Sequence, residues 1–147
     1  MGRKRAMKWI RILSGALALA MAASATPAQA TAISDCPLPP GAVKVSIPSG
    51  LPLSLRTALP GDIALPGEPF DETDIYVKGH NHRRYIFVWN IGTRWIVAME
   101  QGGIALRAAI FIYDLGKDDK TAALIEQRIT FPNSVCANAT KLAKKRN

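Results

Sequence analysis

The run Gly79-His80-Asn81-His82 contains both histidines of the chain. In an extended segment His80 and His82 project to the same side, because side chains alternate along a strand. Three carboxylates lie just upstream: Asp71, Glu72 and Asp74. A catalytic metal site takes about three such ligands and leaves a position open for water, so a metal site formed by His80, His82 and one of these carboxylates is possible. A polar turn with no ligand is the favoured interpretation, because Gly and Asn around the histidines mark a turn, and a pH-sensitive contact is a further alternative.

A second group of residues suited to binding follows directly, where arginines precede alternating aromatic side chains. Because Trp, Tyr and Arg anchor binding surfaces, we predict a site for a carbohydrate, an anionic ligand or a protein at Arg83, Tyr85 and Trp89. The same alternation is typical of a core, which needs its largest side chains inside. Core packing is the favoured interpretation for Phe87 and Trp95, whereas both interpretations stay open for Tyr85 and Trp89.

The sequence contains no familiar catalytic motif. No serine lies in a G-x-S-x-G elbow, and Gly102-Gly103 has no phosphate-loop pattern around it. We therefore name no catalytic residue and no cofactor, and we expect a binding role rather than an enzymatic one.

The first thirty residues have the three parts of a secretory signal peptide. Five basic residues come first: Arg3, Lys4, Arg5, Lys8 and Arg11. An apolar run from Ile12 to Ala25 and the small-residue site Ala28-Gln29-Ala30 follow. The run is shorter than the roughly 20 residues that a membrane anchor needs. We predict cleavage after Ala30 and export of the remaining chain. The expected location is a bacterial periplasm, rather than full secretion from the cell.

Removal of residues 1–30 changes the charge of the protein. It takes five of the 19 Lys and Arg residues and none of the 11 acidic ones, so the net charge falls from +8 to +3. Four of the remaining basic residues lie in the last seven positions. Nucleic-acid binding needs a basic stripe across a folded domain, so we do not expect a nucleic-acid partner.

The two cysteines, Cys36 and Cys136, lie near the ends of the exported part. In an oxidising compartment an even number of cysteines favours a disulfide. A loop of about 100 residues closed in this way would stabilise the fold by roughly 4 to 5 kcal/mol on the chain-entropy account. Two free thiols and a metal pair are the alternatives.

Proline content divides the remaining chain. Residues 31–70 hold eight of the ten prolines, and proline lacks the N–H that a central strand needs. We expect an ordered wrap there, with one short helix from Pro52 to Leu59 that is stopped by Pro60-Gly61.

From Asp74 onwards, β-branched and aromatic residues alternate between turn signals. Five strands are predicted: Asp74–Lys78, Arg83–Asn90, Arg94–Glu100, Ile104–Tyr113 and Ala122–Phe131. Connections this short make neighbouring strands antiparallel. A C-terminal helix should begin at Asn133 or Ser134 and run to about Lys144, with Cys136 in its first turn.

The side chains of the second and third predicted strands favour one pairing register for the hairpin between them. A three-residue loop would pair large side chains on one face: Trp89 with Trp95, Phe87 with Val97 and Tyr85 with Met99. Arg84 would lie opposite Glu100 as a charge pair. The central residues of both faces are then apolar, so both faces must be covered by other parts of the chain. The wrap and the C-terminal helix are available to cover them.

Together these patterns predict a mainly β fold. It is a small antiparallel meander of about five strands with a proline-rich N-terminal wrap, one short helix and a C-terminal helix. Residues 31–147 form one domain, in which 31–70 are the wrap and 71–147 the β part. We expect a small exported, disulfide-tied binding module for a protein or a cell-envelope component. The alternative is a metal-binding protein or metal-dependent enzyme that uses His80 and His82.

Overall fold

A computed structural model describes residues 36–75 and 77–145. The predicted signal peptide and its cleavage site at Ala30 lie outside these residues. In the described part of the chain, no helix is long and apolar enough to cross a membrane.

The fold is mainly β, as predicted, and its sheet has strand order β1-β3-β4-β5-β6, with β2 added beside β3. The strands are β1 (Val43–Lys44), β2 (Ile63–Ala64), β3 (Arg83–Ile91), β4 (Arg94–Gln101), β5 (Arg107–Leu115) and β6 (Ala122–Thr130). Two helices accompany them, α1 (Leu53–Ala58) and α2 (Val135–Lys144), and a 3₁₀ turn over Pro132–Ser134 leads into α2.

Strands β3 to β6 form the predicted antiparallel meander. The proline-rich wrap contributes only the two-residue strands β1 and β2, and both lie against β3. β1 is antiparallel to β3, whereas β2 is parallel to it, which the long excursion through residues 65–82 allows. Residues 36–70, the described part of the wrap, therefore supply no central strand, in agreement with their proline content.

The β3–β4 hairpin has a different register from the predicted one. Its turn has two residues, Gly92 and Thr93, instead of three, and Gly92 takes the positive φ of 63° that suits a tight hairpin. Trp89 therefore lies opposite Ile96 instead of Trp95. A β-bulge at Ile86 then absorbs one residue, so the expected pairs Tyr85 with Met99 and Arg84 with Glu100 are present.

The predicted strand Asp74–Lys78 is wrong. Its described residues belong to a loop, and Ile75 and Val77 are exposed, so the apolar alternation has no core to face. The Asp71 carboxylate accepts a hydrogen bond from the Val77 backbone N–H at 2.9 Å. The Asp71 side chain therefore supplies the hydrogen-bond acceptor that the Val77 N–H of a strand would find on a neighbouring strand.

The sheet separates two apolar core layers. The layer under α1 consists of Leu51, Leu55, Leu59, Tyr85, Val88, Val97, Met99, Ala109, Phe111, Tyr113 and Leu115. The layer under α2 consists of Ile86, Phe87, Trp89, Ile96, Ala98, Ala108, Ile110, Ile112, Val135, Ala139 and Leu142. The wrap and the C-terminal helix thus cover the two faces, as the sequence predicts.

Cys36 and Cys136 form the predicted disulfide, with 5.2 Å between their Cα atoms. Cys136 lies in the first turn of α2, so the bond ties the start of the wrap to the helix that covers one core layer. Disulfides persist in oxidising compartments outside the cytoplasm. The bond therefore indicates an extracytoplasmic environment for the folded chain.

Candidate functional site

The aromatic surface predicted at Arg83, Tyr85 and Trp89 is not present. Trp89 is only 1% exposed and Tyr85 only 8%, while Arg83 is half-buried. The bulge at Ile86 also places the two aromatic rings on opposite faces of the sheet, Tyr85 under α1 and Trp89 under α2. The expectation that Trp89 or Tyr85 is exposed beside Arg83 is therefore wrong, and both rings belong to the core.

Packing explains why these rings are inside. The Phe87 and Trp89 rings stack with centroids 4.2 Å apart beneath α2. On the other face, burial raises the pKa of the Tyr85 phenol, and the nearby Tyr113 phenol adds to the rise. Such rings stabilise the fold and offer no surface to a ligand.

The charge pair predicted across β3 and β4 is confirmed. Arg84 donates to the Glu100 carboxylate at 2.9 Å through Nε and at 2.6 Å through Nη2. Its guanidinium carbon lies 4.3 Å above the Phe70 ring centroid, and Nη1 donates to the Glu68 carbonyl oxygen at 3.2 Å. These contacts hold the end of the wrap on the sheet, which is a structural task.

The histidine loop does bring polar groups together. The Asp71 carboxylate is buried, and its Oδ1 atom lies 3.1 Å from Nδ1 of His80. Nε2 of His82 lies 4.0 Å from the Oδ2 atom of the same carboxylate. The two histidines therefore lie near different oxygens of one carboxylate, whereas the other two upstream carboxylates, Glu72 and Asp74, are exposed.

Backbone contacts fix this loop against the β4–β5 turn. Asp71 N–H donates to the Asn81 carbonyl oxygen at 2.8 Å, and Gly102 N–H donates to the His82 carbonyl oxygen at 2.9 Å. A Cβ atom on Gly102 would collide with the carbonyl oxygen of Asp71, so a side chain at this position would push the loop away. The loop is thus packed closely enough to orient both histidines.

The structure brings one carboxylate, Asp71, close to both histidines, but it does not assemble a set of metal ligands among the described residues. Among the residues that the structure describes, no group of three or more His, Cys, Asp or Glu side chains has the spacing to hold a metal ion. Both oxygens of Asp71 already have hydrogen-bond partners, His80 and the Val77 N–H. The Asp71 carboxylate instead holds the histidine-bearing loop in place through these two hydrogen bonds.

Several exposed apolar side chains lie on the last strand and next to it, where the sequence analysis placed no site. We use "the β6 edge patch" for these five exposed residues: Ile104, Leu124, Ile125, Ile129 and Phe131. Ile104 is 95% exposed and Phe131 is 68% exposed. The sequence does carry a signal for this surface, because the final strand of a meander has only one neighbouring strand.

The two faces of β6 differ. The cross-strand partners of Leu124 and Ile129 are Tyr113 and Ala109, which belong to the layer under α1. These apolar residues therefore project to the α1 side of the sheet, where both remain about half exposed although α1 packs against β6. A groove of about 390 Å³ lies beside Ile129, lined also by Ile104, Gln127 and Arg107.

The other face of β6 is polar and is tied to α2. Glu126 lies 3.2 Å from Arg128 and 3.3 Å from Lys145, and Thr130 accepts a hydrogen bond from Asn138 at 2.9 Å. Burial alone would raise the pKa of the Glu126 carboxyl. Hydrogen bonds from Lys145 and Arg128, together with their positive charges, outweigh it and hold that pKa below its ordinary value.

Comparison of the chain with protein-family models, curated proteins and solved structures finds no match. The class of protein that the described residues define is therefore a small disulfide-bonded antiparallel β domain.

Proposed function

We propose that the protein is an exported binding module that docks an extended protein segment along the outer edge of β6. The disulfide supports an oxidising compartment outside the cytoplasm. The predicted signal peptide supports export, and a bacterial periplasm is the compartment that we propose. The partner is a protein that presents a strand with apolar side chains.

The position of β6 in the sheet supports this docking mode. β6 pairs with β5 on one side, and among the described residues no strand lies on its other side. An edge strand presents a row of backbone N–H and C=O groups that can template another strand. Main-chain hydrogen bonds then give affinity, and alternate side chains give specificity.

The side chains of β6 are the observation that carries the proposal. Natural edge strands are usually protected by charges, proline, bulges or short length, and β6 has the charges of Glu126 and Arg128 and a bulge at Ile125. It nevertheless runs for nine residues and exposes Leu124, Ile125 and Ile129 along its length, with Phe131 just beyond its end. Contiguous exposed apolar surface with a polar border is typical of interaction sites.

The opposite border of the sheet offers a contrast. β1 is only two residues long, and it exposes one large apolar side chain, Val43. A two-residue strand can template little pairing. Binding by strand addition is therefore proposed for β6 and not for β1.

Site-specific photo-crosslinking tests the proposal. A photoreactive amino acid would replace Ile129 on the β6 edge patch, and a matched control would replace Val43 on β1. We expect the protein purified from its native envelope to carry a discrete cross-linked protein at position 129 and none at position 43. Equal labelling at the two positions, or no product at position 129, would overturn the proposal.

A second candidate function is metal binding by His80 and His82, for which the Asp71 side chain would have to shift to join them, since the described side chains form no ligand set as they stand. The convergence of both histidines on the Asp71 carboxylate favours it. The test is elemental analysis of the purified protein after loading with zinc, with the double variant His80→Ala/His82→Ala as the control. Stoichiometric zinc that is lost in the variant would support this function, and equal zinc in both would end it.

A further inference from the structure

We infer that the segment docked on β6 is β6 of a second copy, paired antiparallel across a two-fold axis that passes through Gln127. The inference rests on the proposed function, since it names the partner for the same edge. Two-fold dimers are the commonest closed assemblies, and each copy then contributes the same surface patch. A two-fold axis between identical strands requires antiparallel pairing.

The sequence of β6 complements itself in this register. Counting outward from Gln127, the first residues on either side are Glu126 and Arg128, and the next are Ile125 and Ile129. Antiparallel pairing about Gln127 would place Glu126 of each copy opposite Arg128 of the other. Ile125 would lie opposite Ile129, also twice. Opposite charges and apolar pairs directly across an antiparallel ladder are both stabilising.

The faces of the sheet agree with this register. Gln127 and Ile129 lie on the α1 side, because their partners on β5, Phe111 and Ala109, belong to the layer under α1. Ile125 is the bulged residue of β6 and has no partner on β5, so alternation does not assign it to a side. Ile129 and the axis at Gln127 would therefore lie on the α1 side, where part of the β6 edge patch is exposed.

The charge pairs would join on the opposite side. Glu126 and Arg128 pair with Ile112 and Ile110, which lie under α2. Both charged side chains are only partly buried, so each can reach across to a second copy. This register thus matches opposite charges on the α2 side of the sheet, and a one-residue slip would destroy that match.

A β-bulge limits the length of this pairing. The register between β5 and β6 shifts at Ile125, which has no partner on β5. Bulges at sheet edges bend a strand and end regular pairing. The regular part of the proposed interface is therefore centred on residues 126–128, with the two isoleucines at its borders.

Charge reversal tests the register. In the variant Glu126→Arg, the arginine at position 126 of each copy would face Arg128 of the other copy. In Arg128→Glu, the glutamate at position 128 of each copy would face Glu126 of the other. We expect the unmodified protein to be a dimer in analytical ultracentrifugation. The dimer dissociation constant of each single variant should be about tenfold or more higher. The double variant Glu126→Arg/Arg128→Glu should recover dimerisation.

Mixing the two single variants provides the sharper control. Each variant loses the same Glu126–Arg128 contact within its own chain, so damage to the fold would persist in the mixture. Across a heterodimer, however, Arg would again meet Glu at both positions. We expect the mixture to dimerise where neither variant does alone.

A cysteine at the axis tests the geometry independently. Gln127→Cys would place two thiols opposite each other, whereas Ala123→Cys would place them about 26 Å apart along the paired strands. We expect a covalent dimer under mild oxidation for Gln127→Cys and none for Ala123→Cys.

The outcomes separate this inference from the proposed function. A protein that is monomeric at all concentrations, yet cross-links to a different protein from position 129, would overturn the second copy as partner and leave β6 as the docking edge. A protein that neither dimerises nor cross-links from position 129 would overturn both.

Discussion

Strands β3 and β6 are both nine residues long and both rich in apolar residues, but they have opposite surroundings. β3 lies inside the sheet between β4 and the short strands of the wrap, and its five central residues are buried. β6 lies at the border, and its large apolar residues are exposed. The comparison shows that the neighbours of a strand decide whether its apolar residues become core or docking surface.

The first prediction contrasts an aromatic residue from each region. Trp89→Ala should cost about 3 to 5 kcal/mol of unfolding free energy, because it removes a fully buried ring. Phe131→Ala should stay within about 0.5 kcal/mol, because its ring is exposed. Urea denaturation of both variants measures the difference. Similar losses in the two variants would contradict the assignment of Trp89 to the core.

The second prediction contrasts an ion pair from each region. Arg84→Met leaves the Glu100 carboxylate buried without its partner and should cost about 3 kcal/mol. The double variant Arg84→Met/Glu100→Met should recover much of that loss, because no buried charge remains. Arg128→Met removes an exposed pair and should leave folding stability unchanged within the precision of urea denaturation. A large loss in Arg128→Met would break the comparison.

The third prediction uses the tyrosines of the buried region. Burial raises the pKa of Tyr113 above its ordinary value of 10.0. A group with a raised pKa in the folded state stabilises the fold fully below its unfolded pKa, and this contribution is lost as pH rises through the folded pKa. Stability should therefore fall above about pH 10, with a shallower fall in Tyr113→Phe, as urea denaturation at a series of pH values would show. A pH dependence identical in the two proteins would contradict this origin.

Much of the fold follows from local sequence patterns. Four of the five predicted strands, both helices and the disulfide are present, since each depends on alternation, turn residues, proline or cysteine. The fifth predicted strand failed because its alternation has no core to face. Instead, the Asp71 side chain satisfies the Val77 N–H, a contact that spacing alone does not reveal.

The candidate sites were harder to predict because they depend on tertiary packing. The bulge at Ile86 moves Tyr85 and Trp89 to opposite faces, and nothing in the local pattern marks it. The metal site proposed for His80, His82 and one of three carboxylates stays a prediction, and the structure adds only that both histidines lie near Asp71. The β6 edge was missed because alternation predicts a strand but does not reveal whether another strand pairs with its outer side.

The most direct test of the account is hydrogen–deuterium exchange of the unmodified protein, measured before and after a roughly hundredfold dilution. Pairing between copies depends on protein concentration, whereas the interior of the sheet does not. We predict that the amides of β6 exchange faster after dilution, while those of β3 stay protected at both concentrations. Exchange in β6 that is the same at both concentrations would contradict the pairing of two β6 edges.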